Sequence, residues 1–247
     1  MKATRRSLDH DDAVQLIVAL QNRYYALWGG RVATSPVDLN VILRTLTEKK
    51  IPFVLTGAHG IGAWTGRPRS TQDVDILVKS GRNLVRAVNA IKALYPELEM
   101  RNLAGVMAFS IPGERESVID VTYPHRADLQ ETLSNPTWTE NKALGLRYRV
   151  PSLEEALANK YGAIVTPIRA IEKRMQDAVD FAQMVKHADD EGQKPIDLQR
   201  LEFLEEKVWS AGGGKELLRL VEQVKAGKAI HIDSMRHAAS QGPEIQS

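Results

Sequence analysis

Two acidic residues, Asp73 and Asp75, stand at the start of the apolar run 76–78 and constrain this chain more than any other feature. The pattern predicts a loop that leads into a buried strand. Side chains alternate along a strand, so both acids lie on one face while Val74 points into the core. Their Cα atoms are then roughly 6.5 Å apart, close enough for both carboxylates to reach one ion or a pair of ions. Because two such acids repel, we expect a cation between them, and Mg²⁺, which binds through carboxylates together with substrate phosphates, fits best.

A third acid, Asp120, lies in a second strand pattern at residues 117–123. Alternation puts the apolar residues of this run on one face and Asp120 on the other. If this strand lies beside the strand of Asp73 and Asp75, the three carboxylates form one cluster. Such a cluster holds one or two Mg²⁺ or Mn²⁺ ions, which stabilise charge on transferring phosphates and lower the pKa of an attacking hydroxyl. The sequence therefore predicts all three acids as metal ligands.

A glycine-containing turn at residues 56–60 follows the apolar run 51–56. A turn from strand to helix offers free backbone N–H groups and the positive end of a helix, which together form an anion site. We therefore predict that the amides of Gly57 and Ala58 bind phosphate. The alternative is a plain tight turn, because glycine tolerates such geometry. His59 is interpreted as a residue of the first helical turn that orients the loop.

Composition excludes several classes of protein. The chain has 247 residues, 43% of them hydrophobic, which is enough to bury a core. Its 33 Lys and Arg against 31 Asp and Glu give a net charge of +2, so any basic surface must be local. The absence of cysteine excludes disulfides and thiolate metal sites. The sequence lacks an apolar run long enough for a membrane span and a secretory signal at its start, so we expect a cytoplasmic protein without a membrane partner.

Hydrophobic periodicity predicts two helices before the sheet, at residues 11–28 and 35–46, the second starting with a Ser-Pro pair. Strands are predicted at 51–56, 73–78, 97–101, 106–111 and 117–123, with helices at 58–64 and 83–95. The aromatic residues of the first helix are interpreted as packing residues, with base stacking as the alternative; they are Tyr24, Tyr25 and Trp28. We therefore expect an α/β (α+β) domain over residues 1–150.

The rest of the chain has the pattern of a helical domain at residues 151–240, followed by a tail at 241–247 with too little apolar content to fold alone. Helices are predicted near 153–165, 169–187, 197–210 and 215–226. Ser152 and Glu155 form a start signal, in which Ser152 caps the first of these helices and Glu155 returns the bond.

The order of apolar strand, Gly-rich turn, Asp-x-Asp strand and later single-Asp strand resembles the nucleotidyltransferase superfamily, which has the polymerase-β-like fold. Residues 56–59 and 66–75 resemble the branch containing the AbiEii and MenT toxins, whose pattern is Gly-Gly-His followed by Gly-x-x-Arg-x-Thr-x-Asp-hydrophobic-Asp. The match covers about residues 50–185. One departure is Ala58, at the second glycine or serine position, where backbone donors remain but a serine hydroxyl does not. The resemblance implies a mixed sheet with N-terminal helices and a C-terminal helical bundle.

The resemblance also implies roles for four further residues. The arginine and threonine of the pattern are Arg69 and Thr71, which it implies bind nucleotide phosphate. Lys160, on an apolar helical stripe, corresponds to a cleft lysine facing triphosphate; the alternative is that its stem covers core while its head reaches water. Asp177 matches an acid of the second helical motif. Its alternative is an ion pair with the basic residues one turn earlier on a solvated helix.

The first hypothesis is an Mg²⁺-dependent (or Mn²⁺-dependent) nucleotidyltransferase that moves a nucleoside monophosphate from an NTP such as ATP to an acceptor. By resemblance the acceptor is a tRNA 3′ end, and the protein is a toxin with a cognate antitoxin as partner. A second hypothesis keeps the chemistry with a small-molecule acceptor, as in antibiotic-modifying members of the superfamily. A third is a non-catalytic binding module that retains the fold, although such a module has no use for three acids on one face.

Overall fold

The computed structural model describes residues 8–28, 35–103, 105–190, 193–208 and 216–232. These residues form nine α-helices and seven β-strands. The helices are α1 (His10–Trp28), α2 (Leu39–Glu48), α3 (Gly57–Thr65), α4 (Gly81–Leu94), α5 (Ala127–Ser134), α6 (Leu153–Val165), α7 (Ile171–Ala188), α8 (Leu198–Val208) and α9 (Glu216–Lys225). The strands are β1 (Phe53–Leu55), β2 (Val74–Val78), β3 (Glu99–Leu103), β4 (Val106–Ser110), β5 (Ser117–Thr122), β6 (Thr137–Asn141) and β7 (Leu146–Val150). The predicted tail at 241–247 lies outside the described residues.

Five strands form a mixed sheet in the order β1-β2-β5-β4-β3. The central pair, β2 and β5, is parallel, and every other pair in this sheet is antiparallel. Both central strands carry β-branched and other apolar residues that are buried, as expected for strands with neighbours on both sides. The predicted α+β class, with a mixed sheet, N-terminal helices and C-terminal helices, is confirmed.

Helices α2 and α4 cover the apolar face of the sheet. On α2 the four buried residues follow the i, i+3, i+4, i+7 spacing of an amphipathic helix; they are Leu39, Ile42, Leu43 and Leu46. The predicted start of this helix at the Ser-Pro pair is wrong. Its N-cap is Asp38, whose carboxylate accepts hydrogen bonds from the backbone N–H groups of Asn40 and Val41. A carboxylate satisfies these free donors and interacts well with the positive helix end, so the helix begins three residues later than predicted from Pro36.

Helix α5 and the hairpin of β6 and β7 were not predicted. Strand β7 alternates apolar residues with two arginines, a strand signal that sequence reasoning missed, whereas β6 is mostly polar. The turn of the hairpin depends on Asn141, whose Oδ1 accepts a hydrogen bond from the backbone N–H of Leu144 at 2.9 Å, and on Gly145 with φ +60°. Strand β7 lies beside β1, the edge strand of the five-stranded sheet, so the hairpin packs at that edge.

The chain divides into two compact units. Unit 1 comprises residues 1–63, 67–125 and 132–152, and unit 2 comprises residues 64–66, 126–131 and 153–247. Unit 1 contains both sheets, and unit 2 contains helices α6 to α9. The described part of the chain has no helix with both the length and the apolar character required to cross a membrane. The predicted domain limits at 150 and 240 stay a prediction.

The predicted capping box at the start of α6 does not form. The buried Ser152 Oγ has no hydrogen-bond partner among the residues that the structure describes. Glu155, which is fully buried, accepts instead from Arg200 of α8, with Nε at 2.9 Å from Oε1. A buried carboxylate requires a charged partner more than a backbone donor, because a guanidinium offsets its desolvation.

Replacing Gly60 with alanine should destabilise the protein. A Cβ at Gly60 of α3 would lie 2.2 Å from the carbonyl oxygen of Leu55, so the helix could not keep its distance from the end of β1. We expect Gly60→Ala to lower the free energy of unfolding in urea by roughly 1–3 kcal/mol. The matched control is Gly81→Ala at the start of α4, where a Cβ would meet nothing within 4 Å. That variant should be neutral or slightly stabilising, and equal destabilisation of both variants would contradict this account.

Candidate metal centre

Three acids meet at the junction of β2 and β5. The parallel register places Asp75 directly opposite Asp120 on the neighbouring strand. Asp73 precedes β2 by one residue. One carboxylate oxygen from each of the three residues lies within 4.8 Å of the others, and all three side chains are half-buried. The neighbouring strands expected from the sequence are therefore present, while the function of these acids as ligands stays a prediction.

This arrangement suits a divalent metal. Two unit charges about 5 Å apart repel by roughly 3 kcal/mol at an effective dielectric constant of 20, before further screening by solvent. A divalent cation among the acids would convert this repulsion into attraction. Carboxylate oxygens are hard ligands that suit Mg²⁺, Mn²⁺ and Ca²⁺ better than softer ions. The residues present therefore fit the metal that the sequence pattern implies.

The backbone of Gly57 lies directly against Asp75. Gly57 has φ +58°, and a Cβ there would lie 1.8 Å from Asp75 Oδ2. The adjacent Thr56 N–H donates to the backbone carbonyl of Asp75 at 2.9 Å, which joins the turn to β2. Glycine is therefore required here for its backbone conformation and also for its lack of a side chain. Phosphate binding by the amides of Gly57 and Ala58 stays a prediction.

The loop before β2 is held by hydrogen bonds of its own residues. Thr71, which is buried, donates from Oγ1 to Asp73 Oδ1 at 2.5 Å. Arg69 donates from Nη1 to the carbonyl oxygen of Ser70 at 3.1 Å. Thr71 therefore orients one of the three carboxylates, a contact that the sequence pattern did not indicate. The phosphate-binding roles of Arg69 and Thr71 stay predictions.

Helix α1 holds the same loop from the other side. The buried Gln21 donates from Nε2 to the carbonyl oxygen of Gln72 at 3.1 Å, and Gln72 donates from Nε2 to the hydroxyl of Tyr24 at 2.6 Å. Burial raises the pKa of the Tyr25 hydroxyl, and the negative charge of Asp73 raises it further. Sequence reasoning treated the tyrosines as packing residues and missed Gln21. A glutamine on the apolar stripe of α1 was the available signal, because a buried amide requires partners.

His59 is buried beside this loop. Only 1% of its surface is exposed, and neither ring nitrogen has a hydrogen-bond partner within the described ranges. Burial lowers its pKa to about 4; the charge of Asp73 opposes this shift and the charge of Arg69 adds to it. The imidazole is therefore neutral at physiological pH. It lies in the first turn of α3 as predicted, but it packs there without the hydrogen bond that orienting the loop would require.

Lys160 and Asp177 lie together in unit 2. The Lys160 ammonium donates to Asp177 Oδ1 and to Asp180 Oδ2, each at 2.7 Å. Arg169 donates from Nε to Asp177 Oδ2 at 2.7 Å. Burial alone would lower the pKa of Lys160, but the charges of Asp180 and Asp177 outweigh burial and raise it, so the lysine is ionised. The alternatives of a lysine head in water and of an aspartate on a solvated helix therefore do not hold. The catalytic roles of Lys160 and Asp177 stay predictions.

Comparison with known proteins gives loose structural similarity only. No model of a known protein family and no curated protein sequence matches the chain. An antigenic nucleotidyltransferase-like protein from Paracoccidioides brasiliensis is similar in structure, with a TM-score of 0.45 and 18% identity over 81% of this chain and 94% of that protein. The protein JHP933 from Helicobacter pylori has a TM-score of 0.39 and 13% identity over 82% of this chain and 93% of its own. Neither name identifies the AbiEii or MenT branch, which stays a prediction.

Replacing Gly57 with alanine should abolish metal binding. We expect millimolar Mg²⁺ to raise the melting temperature of the wild type. The Cβ added in Gly57→Ala would displace the Asp75 carboxylate, so this variant should show no such rise. The matched control is Gly145→Ala. Gly145 has the similar φ of +60°, but a Cβ there would meet nothing within 4 Å. In that variant backbone strain should lower the free energy of unfolding by roughly 1–2 kcal/mol, while the response to Mg²⁺ should remain. A Gly57→Ala protein that still responds to Mg²⁺ would contradict the assigned geometry.

The burial of His59 should also make stability depend on pH. Its folded-state pKa of about 4 lies below the usual value of 6.5, so between these values the unfolded chain binds more protons. The free energy of unfolding should therefore fall as pH is lowered from about 6.5 to about 4, by roughly 3 kcal/mol at most from this residue. His59→Leu should flatten this dependence in urea titrations across the range, leaving the contribution of His10, whose pKa burial also lowers to about 4. A control, His125→Gln at an exposed site, should keep the wild-type slope of unfolding free energy against pH. Equal slopes in the wild type, His59→Leu and His125→Gln would refute the interpretation.

Proposed function

We propose that this protein is an Mg²⁺-dependent nucleotidyltransferase, which moves a nucleoside monophosphate from an NTP to an acceptor hydroxyl and releases pyrophosphate. The observation that supports it is the position of Asp75 opposite Asp120 on parallel strands, with Asp73 close enough for all three carboxylates to lie within 4.8 Å of one another. Such a cluster at a strand-to-helix turn matches the requirements of phosphoryl-group chemistry, in which metal ligands and an anion site must be adjacent.

In this proposal the acceptor oxygen attacks the α-phosphorus, and the bond from that phosphorus to the pyrophosphate oxygen breaks. Asp73, Asp75 and Asp120 would hold the metal, and Asp120 would help to take the proton of the acceptor hydroxyl. A bound Mg²⁺ or Mn²⁺ supplies charge neutralisation on the triphosphate and a lower pKa of the acceptor hydroxyl. Thr71 keeps the Asp73 carboxylate oriented, because its hydroxyl donates to that carboxylate.

The remaining proposed roles concern the charge of the triphosphate. The amides of Gly57 and Ala58 at the start of α3 would bind phosphate oxygens. Arg69, four residues before Asp73 in the loop that leads into β2, would offset phosphate charge beside the acids. Lys160 and Asp177 are proposed as catalytic residues on the motif resemblance, and the raised pKa of Lys160 supports a permanent positive charge there.

The acceptor and the biological role are the finer part of the proposal. By motif resemblance we propose a tRNA 3′ end as acceptor, toxin activity and neutralisation by a cognate antitoxin. A small hydroxylated molecule is the alternative acceptor.

The test is transfer of label from each of four α-labelled NTPs to total tRNA or to a panel of small hydroxylated compounds, with Mg²⁺ and with EDTA. Asp73→Asn should lower transfer at least about 100-fold, because metal stabilisation of the transferring phosphate is worth several kcal/mol. The control is Asp189→Asn, which changes an exposed carboxylate paired with Lys225 and should keep full activity.

An Asp73→Asn protein that transfers label as the wild type does would remove the mechanism. Label on small molecules and not on RNA would replace the tRNA acceptor and the toxin role. Absence of transfer to every acceptor, together with melting that Mg²⁺ and NTP leave unchanged, would favour the non-catalytic module.

A further inference from the structure

An exposed tryptophan stands between two arginines on the hairpin of β6 and β7. Trp138 is 56% exposed, and the guanidinium carbons of Arg147 and Arg149 lie 5.1 and 5.6 Å from its ring centroid. The register places Arg149 opposite Trp138, and alternation puts Arg147 on the same face. An exposed aromatic ring offers a flat face on which a nucleic-acid base can stack. The ring and the two guanidinium groups therefore form one aromatic and cationic surface.

This hairpin forms one wall of a groove of about 360 Å³, whose other wall is the segment between α2 and β1 and includes Lys50. A second groove of about 390 Å³ adjoins it at Ile51 and is lined by Lys49 and Arg86. We use the name basic groove for the surface formed by six of these residues: Lys49, Lys50, Arg86, Trp138, Arg147 and Arg149.

None of the five cations of the basic groove forms an ion pair with a carboxylate of the described residues. Within the described residues Arg86 donates to uncharged acceptors, the carbonyl oxygen of Lys49 and the side chain of Asn83. Glu140 lies opposite Arg147 in the register but does not pair with it in this part of the chain. Another exposed acid, Glu48, ends α2 next to the lysines. The groove therefore keeps an excess of positive charge on a protein whose net charge is only +2.

The backbone conformation of Lys50 is a further unusual feature of the basic groove. Lys50 has φ +51°, a conformation in which glycine is favoured after a helix and a lysine is strained. Lys50 lies two residues beyond the end of α2, and the N–H of the following Ile51 donates to the carbonyl oxygen of Leu46 at 2.9 Å, as in a Schellman motif. A lysine at this position gives up stability that glycine would supply. Its side chain lines the groove, where its charge adds to that of the neighbouring cations.

We propose that the basic groove binds single-stranded nucleic acid, with phosphates on the cations and an unpaired base stacked on Trp138. A polyanion is the occupant that matches an excess of unpaired cations, and an exposed aromatic ring adds affinity for bases that are free to stack. A duplex would offer the phosphates but not the base face. RNA and DNA single strands share this chemistry, so binding experiments have to distinguish them.

The basic groove is separate from the acidic cluster. Phe53, at its edge, pairs with Val78, three residues beyond Asp75 along β2 and therefore roughly 10 Å further along the sheet. Binding in the groove thus does not require that the acids bind metal or catalyse a reaction. Binding of nucleic acid should consequently persist in EDTA and without NTP, which separates this inference from the proposed nucleotidyl transfer.

The test uses fluorescence anisotropy with fluorescein-labelled 12-nucleotide oligo-U RNA, oligo-dT DNA and a 12-base-pair duplex, from 50 to 300 mM KCl. We expect single strands to bind more tightly than the duplex. Trp138→Ala should weaken binding about 10-fold or more, and Trp138→Phe should restore most of it. Arg147→Gln and Arg149→Gln should each weaken binding and reduce the slope of log affinity against log salt by roughly 0.7.

Two control variants resemble these changes in chemistry but lie in unit 2. Phe203→Ala removes a ring that is also contacted by an arginine, but that arginine, Arg200, is paired with Glu131 and Glu155. Arg219→Gln removes an exposed cation that pairs with Glu216. Both controls should bind as the wild type does. Preference for RNA or for DNA would identify the natural strand. Equal binding of duplex, no effect of Trp138→Ala, or no binding at 50 mM KCl would each overturn the proposal.

Discussion

The parallel pairing of β2 with β5 is the constraint on which the candidate site depends. In its register Asp75 lies opposite Asp120, while Val74 and Ile76 are buried on the other face of β2. A slip of one residue would exchange the two faces and put the acids into the core. Burial of the apolar face therefore also determines where the carboxylates lie. The hydrophobic free energy that stabilises the sheet therefore also keeps the three carboxylates close together against their mutual repulsion.

The two clusters of acids in this chain differ in their immediate contacts. In unit 2, Asp177 and Asp180 contact the cations of Lys160 and Arg169 at 2.7 Å, so two negative and two positive charges meet. In unit 1, one oxygen from each of three carboxylates lies within 4.8 Å of the others, and Thr71 donates to Asp73 from an uncharged hydroxyl. Ion pairs hold the acids of unit 2 in the fold, and the spacing of the oxygens in unit 1 suits a divalent cation.

Sequence reasoning succeeded where the two-residue alternation of a strand determines which face each side chain lies on. Alternation predicted β2 and β5 and put Asp75 and Asp120 on the face away from the core, because the strands are apolar on the other face. It missed contacts between residues distant in sequence. The approach of Gly57 to Asp75 and the bond from Gln21 to Gln72 depend on how α1 and the β1–α3 turn pack on the sheet, and no local pattern records that packing. The hairpin of Trp138 was missed although β7 alternates apolar residues with arginines, because its partner strand β6 is mostly polar and has no clear pattern of its own.

Strand β1 connects the acidic cluster with the basic groove. Its carboxyl end leads through Gly57 to the acids, and its amino end follows Ile51 at the basic groove. All three of its residues are buried, so the strand separates the two places within the fold. A cation among the carboxylates and a polyanion in the groove would therefore bind near opposite ends of one strand, and neither ligand would require the other.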